Sequence, residues 1–393
     1  MARAKSAENK AAIDLVLELL SIPGKSGDEK GVADFVVQKL KGAGVPASAI
    51  SFDDANKQSP IGGQVGNLIV KLPGTIAGPR RLLMAHMDTV PLCVGAKPVR
   101  KGNKIVSADS TTALGGDDRA GVAVVLHTAL TLLADKIPHP PITLFFPVQE
   151  EIGLVGARFV NTKKLGDPKM CFNWDGGNAA LATIGATGAF NLDITVHGLA
   201  SHAGAHPEDG ISAIAVAGAA IADLQANGWH GLVEKGRKTG TSNIGVIEGG
   251  AATNVVTDRV ELKAEARSHD AAFRKKIVEA FVAAFAKASK SLKNAAGKTG
   301  SVEFDSQHKY ESFKLPISEP TVIAAMEAIE HCGLDPAAKI SNGGLDANWL
   351  SDHGFPTVTL GCGQDGIHTT SETLDLEHFQ HACRIAMELA TKV

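Results

Sequence analysis

The run ITLFFPVQEE (142–151) decides the fold. From Ile142 to Val148 it is apolar except for Thr143, short for a helix and rich in β-branched and aromatic side chains, so it reads as a strand covered on both faces. Such a strand belongs to a mostly parallel sheet with helices on either side. Solubility explains poorly the adjacent Glu150 and Glu151 at its end. Their side chains point in different directions, so one can ligate a metal while the other holds a proton near the metal's water. Glu151 is assigned as ligand and Glu150 as general base.

The pattern repeats on either side. NLIVKL (67–72), LLMAHMDTV (82–90) and MCFNWD (170–175) read as strands, and RAGVAVVLHTALTLLA (119–134) as a buried helix. Upstream, a helix near Ala11–Leu20 breaks at Ile22-Pro23-Gly24, and Ser26 with Glu29 forms a capping-box pattern for a second helix reaching about Lys41. From about Thr187 the character changes. FNLDITVH (190–197) and DRVELKAEAR (258–267) alternate apolar and polar residues, ISAIAVAGAAIADLQ (211–225) is helical, and SNIGVIEG (242–249) is a further strand. A helix near Ala271–Ser289 and a strand near Ser301–Ser306 complete the order strand, helix, strand, strand, helix, strand of a ferredoxin-like α+β domain. Strict alternation leaves that sheet one packed and one open face. Gly236, Gly240, Gly249 and Gly250 mark turns within it, and the basic EKGRKTG (234–240) reads as a solvated loop. After about Ser312 the apolar runs resume, with a helix near Pro320–Cys332, a strand in HGFPTVTLGCG and a closing helix LEHFQHACRIAMELA. The parent α/β domain is therefore residues 1–186 and 312–393, with 187–311 inserted and two linker crossings forming a hinge.

A length of 393 residues allows one large core and a second, smaller domain. A net charge of -3, with basic and acidic residues interspersed, argues against a nucleic-acid partner. Cys93, Cys171, Cys332, Cys362 and Cys383 are odd in number without C-x-x-C spacing, which points to reduced thiols and a cytoplasmic protein. MARAKSAENK followed by AAIDLVLELL reads as an amphipathic helix, not a signal peptide, and no run approaches a membrane span. Neither a G-x-x-x-x-G-K-[ST] loop nor a G-x-G-x-x-G after a first strand supports a nucleotide-dependent enzyme.

In an open parallel sheet the carboxyl ends of the strands form one rim, where distant segments can surround a common point. His86, Asp117, Glu151, Asp175 and His368 all sit at such ends or in the loops after them, as for a two-metal hydrolytic site. His86 and Asp88 lie two apart on one face, so one can bind a metal while the other orients it; a buried histidine satisfied by a carboxylate is the other reading. Asp117 and Asp118 precede a helix, where an N-cap accounts for only one of them. Asp117 is preferred as the carboxylate bridging two ions and Asp118 as cap or backbone-orienting neighbour, with Gly115-Gly116 allowing unusual backbone geometry. Asp117, Glu151 and Asp175 with one hydroxide balance two divalent cations, which favours two metals over one.

Taken in order, HMDTV, GGDDRAG, QEEIGLVGAR, WDGG, HGLASHAG with PEDGISAI, GGAATNVV, EARSHD, and NGGLDANWL followed by IHTTSE span nearly the whole chain. They resemble the zinc metallopeptidase family that holds peptidase T, carnosinase-type dipeptidases, aminoacylases and succinyl-diaminopimelate desuccinylase. DDRAG and EEIGLVGA are most similar to the peptidase T-like branch, which implies an aminopeptidase acting on short peptides, tripeptides first. Around His368 the sequence differs from peptidase T itself, which leaves open a related branch with altered specificity.

The resemblance implies two divalent metal ions per chain, zinc in the first place with cobalt or manganese as alternatives. One would be held by His86, Asp117 and Asp175, the other by Asp117, Glu151 and His368. Asp88 would orient His86, Glu150 would activate water, and the Asp117–Asp118 peptide would be cis. Residues 187–311 would form a lid that also joins a homodimer, with His202 stabilising the oxyanion and Asn254 and Arg267 holding substrate, Arg267 its carboxylate. By residue type alone, His202 equally suits a solvated Gly-rich loop and Arg267 a solvated strand face. A dipeptidase or an N-acyl-amino-acid deacylase on the same centre is the close alternative. A non-catalytic binding protein of the same fold is the distant one, and the presence of Glu150 beside every ligand argues against it.

Overall fold

Every residue of the strand Ile142–Phe146 is buried, Thr143 included, as its mainly apolar run predicts. The computed structural model describes residues 2–392. In chain order the strands used below are β1 (Leu68–Leu72), β2 (Arg81–Met84), β3 (Ile142–Phe146), β4 (Met170–Trp174), β5 (Leu181–Ala186), β6 (Gly188–His197), β7 (Gly231–Lys235), β8 (Lys238–Gly249), β9 (Arg259–Ser268), β10 (Ser301–Tyr310) and β11 (Thr357–Leu360). The helices are α1 (Ala2–Leu20), α2 (Lys30–Gly42), α3 (Gly116–Ala134), α4 (Ala213–Ala226), α5 (Ala271–Ser291), α6 (Pro320–His331) and α7 (Leu376–Thr391).

The chain divides into two units: one runs up to Gly185 and resumes with Lys314–Ser341 and from Leu345 onward, the other is Ala186–Phe313 with Asn342–Gly344. In the first, β3, β2, β4 and β11 are neighbours in that order and pair in parallel. Antiparallel β1 flanks them on one side and β5 on the other, so the sheet is mixed with a parallel centre. On one face Leu82, Met84, Phe145 and Cys171 pack with Ala157, Val160, Leu165 and Leu350. On the other lies α3, buried almost throughout and backed by α1 and α7. Burying both faces explains the lack of alternation in these strands. All four parallel strands finish at the same rim, just before His86, Glu150, Asp175 and the His368 loop.

Three local expectations are corrected. Ser26 and Glu29 form no capping box: the first turn of α2 has no side-chain cap, and both side chains turn inward to other segments. EKGRKTG is not simply a loop, because β7 and β8 pair as a hairpin that turns at Gly236, in the left-handed region. Gly240 and Gly249 lie within β8 rather than at turns, whereas Gly250 follows it with positive φ. Ala337–Ser341 is a strand that the sequence pattern did not mark.

The second unit is a fully antiparallel sheet in the order β7-β8-β9-β6-β10, the ferredoxin-like arrangement with one added strand. Register puts Val196 opposite Val260 and Val302, and Ile194 opposite Leu262 and Phe304, so one face is apolar. Val216 and Leu224 of α4 and Phe273, Ile277, Phe281 and Phe285 of α5 cover it. Glu261 and Lys263 face the other way and are exposed. Among the described residues, no helix is long and apolar enough to cross a membrane. Phe281 is fully buried in the core of this unit, so Phe281→Ala is expected to lower its stability by about 3–5 kcal/mol. Denaturant unfolding of the variant against the parent chain measures the difference.

Candidate metal centre

Past the end of β2 the chain stays extended beside the continuation of β3, with Ala85 and Met87 donating to the carbonyls of Phe145 and Pro147. That places His86 inside the rim, 1% exposed. Its Nδ1 lies 3.1 Å from the backbone carbonyl of Asp88, which can only accept, so Nδ1 carries a proton and Nε2 faces the site. Nε2 stands 3.1 Å from Asp117 Oδ1. The other oxygen, Asp117 Oδ2, stands 3.2 Å from Nε2 of His368, which is also 3.0 Å from Glu151 Oε2. One buried carboxylate thus touches two imidazoles, one per oxygen.

The remaining carboxylates divide by what they hold. Asp88 accepts from Ser26 Oγ at 2.6 Å and from the backbone N–H groups of Glu150 at 2.9 Å and Glu151 at 3.2 Å. Its carboxylate thus sets the backbone under the two glutamates, while its carbonyl oxygen orients His86. Asp118 accepts from the N–H groups of His86 and Gly121, each at 3.1 Å, and from Gln364 Nε2 at 2.8 Å, so it both orients backbone and serves the start of α3. The Asp117–Asp118 peptide is cis. Gln149, ahead of the glutamates, has a positive φ of 56°, and its N–H donates to Glu29. His368 also has positive φ, at 61°. Non-glycine residues rarely adopt this conformation and do so mostly where tertiary contacts impose it.

Two groups of potential donors come together, His86 with Asp117 and Glu151, and His86 with Asp118 and Asp175; within each the donor atoms lie within 4.8 Å of one another. Asp118 spends its oxygens on the bonds just described, so Asp175 is the freer carboxylate of the second group. Burial, then the charge of Asp117, pushes the Asp175 carboxyl up to about 7. Burial also raises Glu150 well above the usual carboxylate range and raises Glu151. For Asp117 burial works the same way, but the hydrogen bonds from His368 and His86 outweigh it and lower its pKa. Conversely, burial would lower His86, yet its contacts with Asp117 and Asp88 raise it well above its ordinary value. Contacts with Asp117 and Glu151 raise His368 to about 10. Each imidazole thus faces carboxylates that favour its positively charged form.

The inserted unit carries the other three predicted residues. His202 is exposed, and its Nδ1 accepts from the N–H groups of Gly204 and Ala205, which leaves the proton on Nε2, available as a donor. Asn254 is exposed, and its carbonyl accepts from Ala203 N–H. Arg267 is engaged in a bidentate pair with Glu265, at 3.1 and 2.8 Å.

Three residues support the rim without a local signal in the sequence: Ser26 and Glu29, whose spacing mimics a capping box, and Glu372 in IHTTSE. Glu372 accepts from three backbone N–H groups around Asp117. Asp346 is 1% exposed, and neither carboxylate oxygen has a hydrogen-bond partner among the described residues. Burial first, then the charges of Asp175, Asp88 and Glu151, pushes it up to about 8 against the opposing effect of His86.

The chain is similar to several known proteins along most of its length. Residues 82–392 match the model of peptidase family M20/M25/M40. The uncharacterized protein YqjE of Bacillus subtilis is 32% identical over 94% of each chain, and a peptidase T of Vibrio cholerae is 26% identical over 83% of this chain and 85% of its own. Among solved structures, a tripeptidase from Staphylococcus aureus superposes with a TM-score of 0.87 at 31% identity over 97% of both chains. An aminopeptidase PepT from Bacillus cereus gives 0.82 at 32% identity, covering 97% of this chain and 98% of that one. With the match running from β2 to the last helix, the chain belongs to peptidase family M20/M25/M40.

Proposed function

We propose that this chain is a two-metal aminopeptidase that cleaves the first peptide bond of short peptides, tripeptides first among them. The observation that carries the reading is Asp117, with one imidazole on each oxygen and Glu151 on the second imidazole. Nitrogen and carboxylate oxygen donors suit zinc, cobalt and manganese. Their 3.0–3.2 Å separations are close to the about 3.3 Å edge of a tetrahedron with metal bonds of 2.0–2.1 Å. In this reading His86, Asp117 and Asp175 would hold one ion, and Asp117, Glu151 and His368 the other. Such a pair would supply an acidified water and a polarised scissile carbonyl. Similarity to a tripeptidase and to an aminopeptidase PepT, each at over 30% identity along nearly the full chain, supports the substrate class.

The chain's own groups supply proton transfer and positioning. Glu150, whose raised pKa suits a group that both takes and returns a proton, receives the water's proton and passes it to the departing amine. Asp88 keeps Glu150 and Glu151 in register through their N–H groups. The inserted unit, taken as residues 187–311, is the lid and the interface of a homodimer, its open sheet face supporting the interface; an odd number of cysteines without C-x-x-C spacing supports a cytoplasmic location. His202 donates from Nε2 to the developing oxyanion, and Asn254 and Arg267 hold the peptide. Glu265 occupies the Arg267 fork until a substrate carboxylate replaces it.

Glu150→Gln is expected to abolish turnover while metal analysis still finds about two ions per chain; retained activity refutes the assignment. Side-by-side assays with a free tripeptide, the same peptide with a blocked amino end, and an N-acyl amino acid should show hydrolysis of the first alone. Hydrolysis of the N-acyl amino acid would identify a deacylase instead. Metal loading must expel the His368 proton. Because its pKa is raised to about 10, that proton favours the metal-free fold below its ordinary value of 6.5, and the advantage is lost as pH rises through 10. Apparent zinc affinity should therefore climb with pH from 6 to 8, about tenfold per unit for each proton released. Calorimetry in buffers of different ionisation heat would show that proton, and identical heats in all buffers would exclude it.

A further inference from the structure

Glu372 is 3% exposed and lies four residues beyond His368. Its Oε2 accepts from the N–H groups of Leu114 at 2.9 Å and Gly115 at 2.7 Å, and its Oε1 from the N–H of Asp117 itself at 3.0 Å. Its carboxylate therefore closes the turn that delivers Asp117. The turn is shaped to receive it. Gly115 has φ +82°, and a Cβ on Gly116 would come within 3.2 Å of Glu372 Oε1. From behind, Glu372 is anchored by the strand Thr373–Asp375, paired with Lys104–Ser107. At the other end of the same loop, Gln364 bonds Asp118. The loop that presents His368 thus also grips the segment that presents Asp117.

We infer that Glu372 is a positioning residue that sets Asp117 against His368 and so governs occupancy of the metal position these two share with Glu151. This rests on the two-metal reading of the site. His86 reaches Asp117 from β2, independently of the 364–372 loop, so the position it shares with Asp117 and Asp175 depends less on Glu372. A carboxylate is required because both oxygens receive N–H donors. A glutamine of the same size must turn its NH2 group toward either Asp117 N–H or the Leu114 and Gly115 pair.

The test is titration of the metal-free chain with zinc against a chelator, for the parent and for Glu372→Gln, alongside kcat and KM on a tripeptide. The parent should take up two ions. In the variant one ion should bind about 10–100-fold less tightly, the range for lost outer hydrogen bonds to metal ligands, with the other changed far less. kcat should fall and recover on adding excess zinc, with KM unchanged, a rescue that a general loss of folding does not show. Gly116→Ala, which crowds Oε1 without touching any side-chain ligand, should shift the same ion and serves if Glu372→Gln does not fold. Parent-like binding of both ions in the variants overturns the inference alone, as does equal weakening of both without metal rescue. A parent chain that takes up fewer than two ions overturns the two-metal reading and this inference with it.

Discussion

A single buried carboxylate, Asp117, faces two imidazoles, and the arrangement of the first unit follows from the need to hold it there. Bringing Asp117, Glu151, Asp175 and Glu150 into one low-dielectric rim is electrostatically costly. Without metal, the cost appears as displaced proton affinities: Asp175 is pushed up to about 7, Glu150 and Glu151 are raised, and both histidines hold protons beyond their ordinary range. Divalent cations would relieve the same repulsion, so the tension within the cluster is also a source of metal affinity.

A second set of acids makes that cluster possible. Asp88, Asp118, Glu29 and Glu372 each accept from backbone N–H groups beside the candidate ligands. Each bond orders a peptide that no regular ladder can order, because the rim is where strands end. Carboxyl groups suit this work because each offers two oxygens that accept from N–H groups of distant segments. The fold therefore uses acids in two ways, outward to cations and inward to its own backbone.

Much of the fold was legible in local pattern. Mainly apolar runs at 67–72, 142–148 and 170–175 mark strands of the covered sheet, and alternation at 190–197 and 258–267 marks an antiparallel sheet with one wet face. The hairpin through EKGRKTG was hidden because its residues are polar on both sides of the turn, leaving no periodicity to read. Ser26 and Glu29 misled for a related reason. Their spacing satisfies a capping box, yet stronger acceptors and donors reach them from afar.

What the sequence by itself determined is the parts: which segments are strands, and which imidazole and carboxylate groups stand at their ends, because residue type and short-range period are local properties. Only the tertiary structure decided how those parts engage: that His86 and His368 take opposite oxygens of Asp117, that Ser26 reaches Asp88 across 62 residues, Glu29 the N–H of Gln149 across 120, and Glu372 that of Asp117 across 255. Those choices depend on distances between segments that only the packed sheet brings together, and no local pattern encodes them.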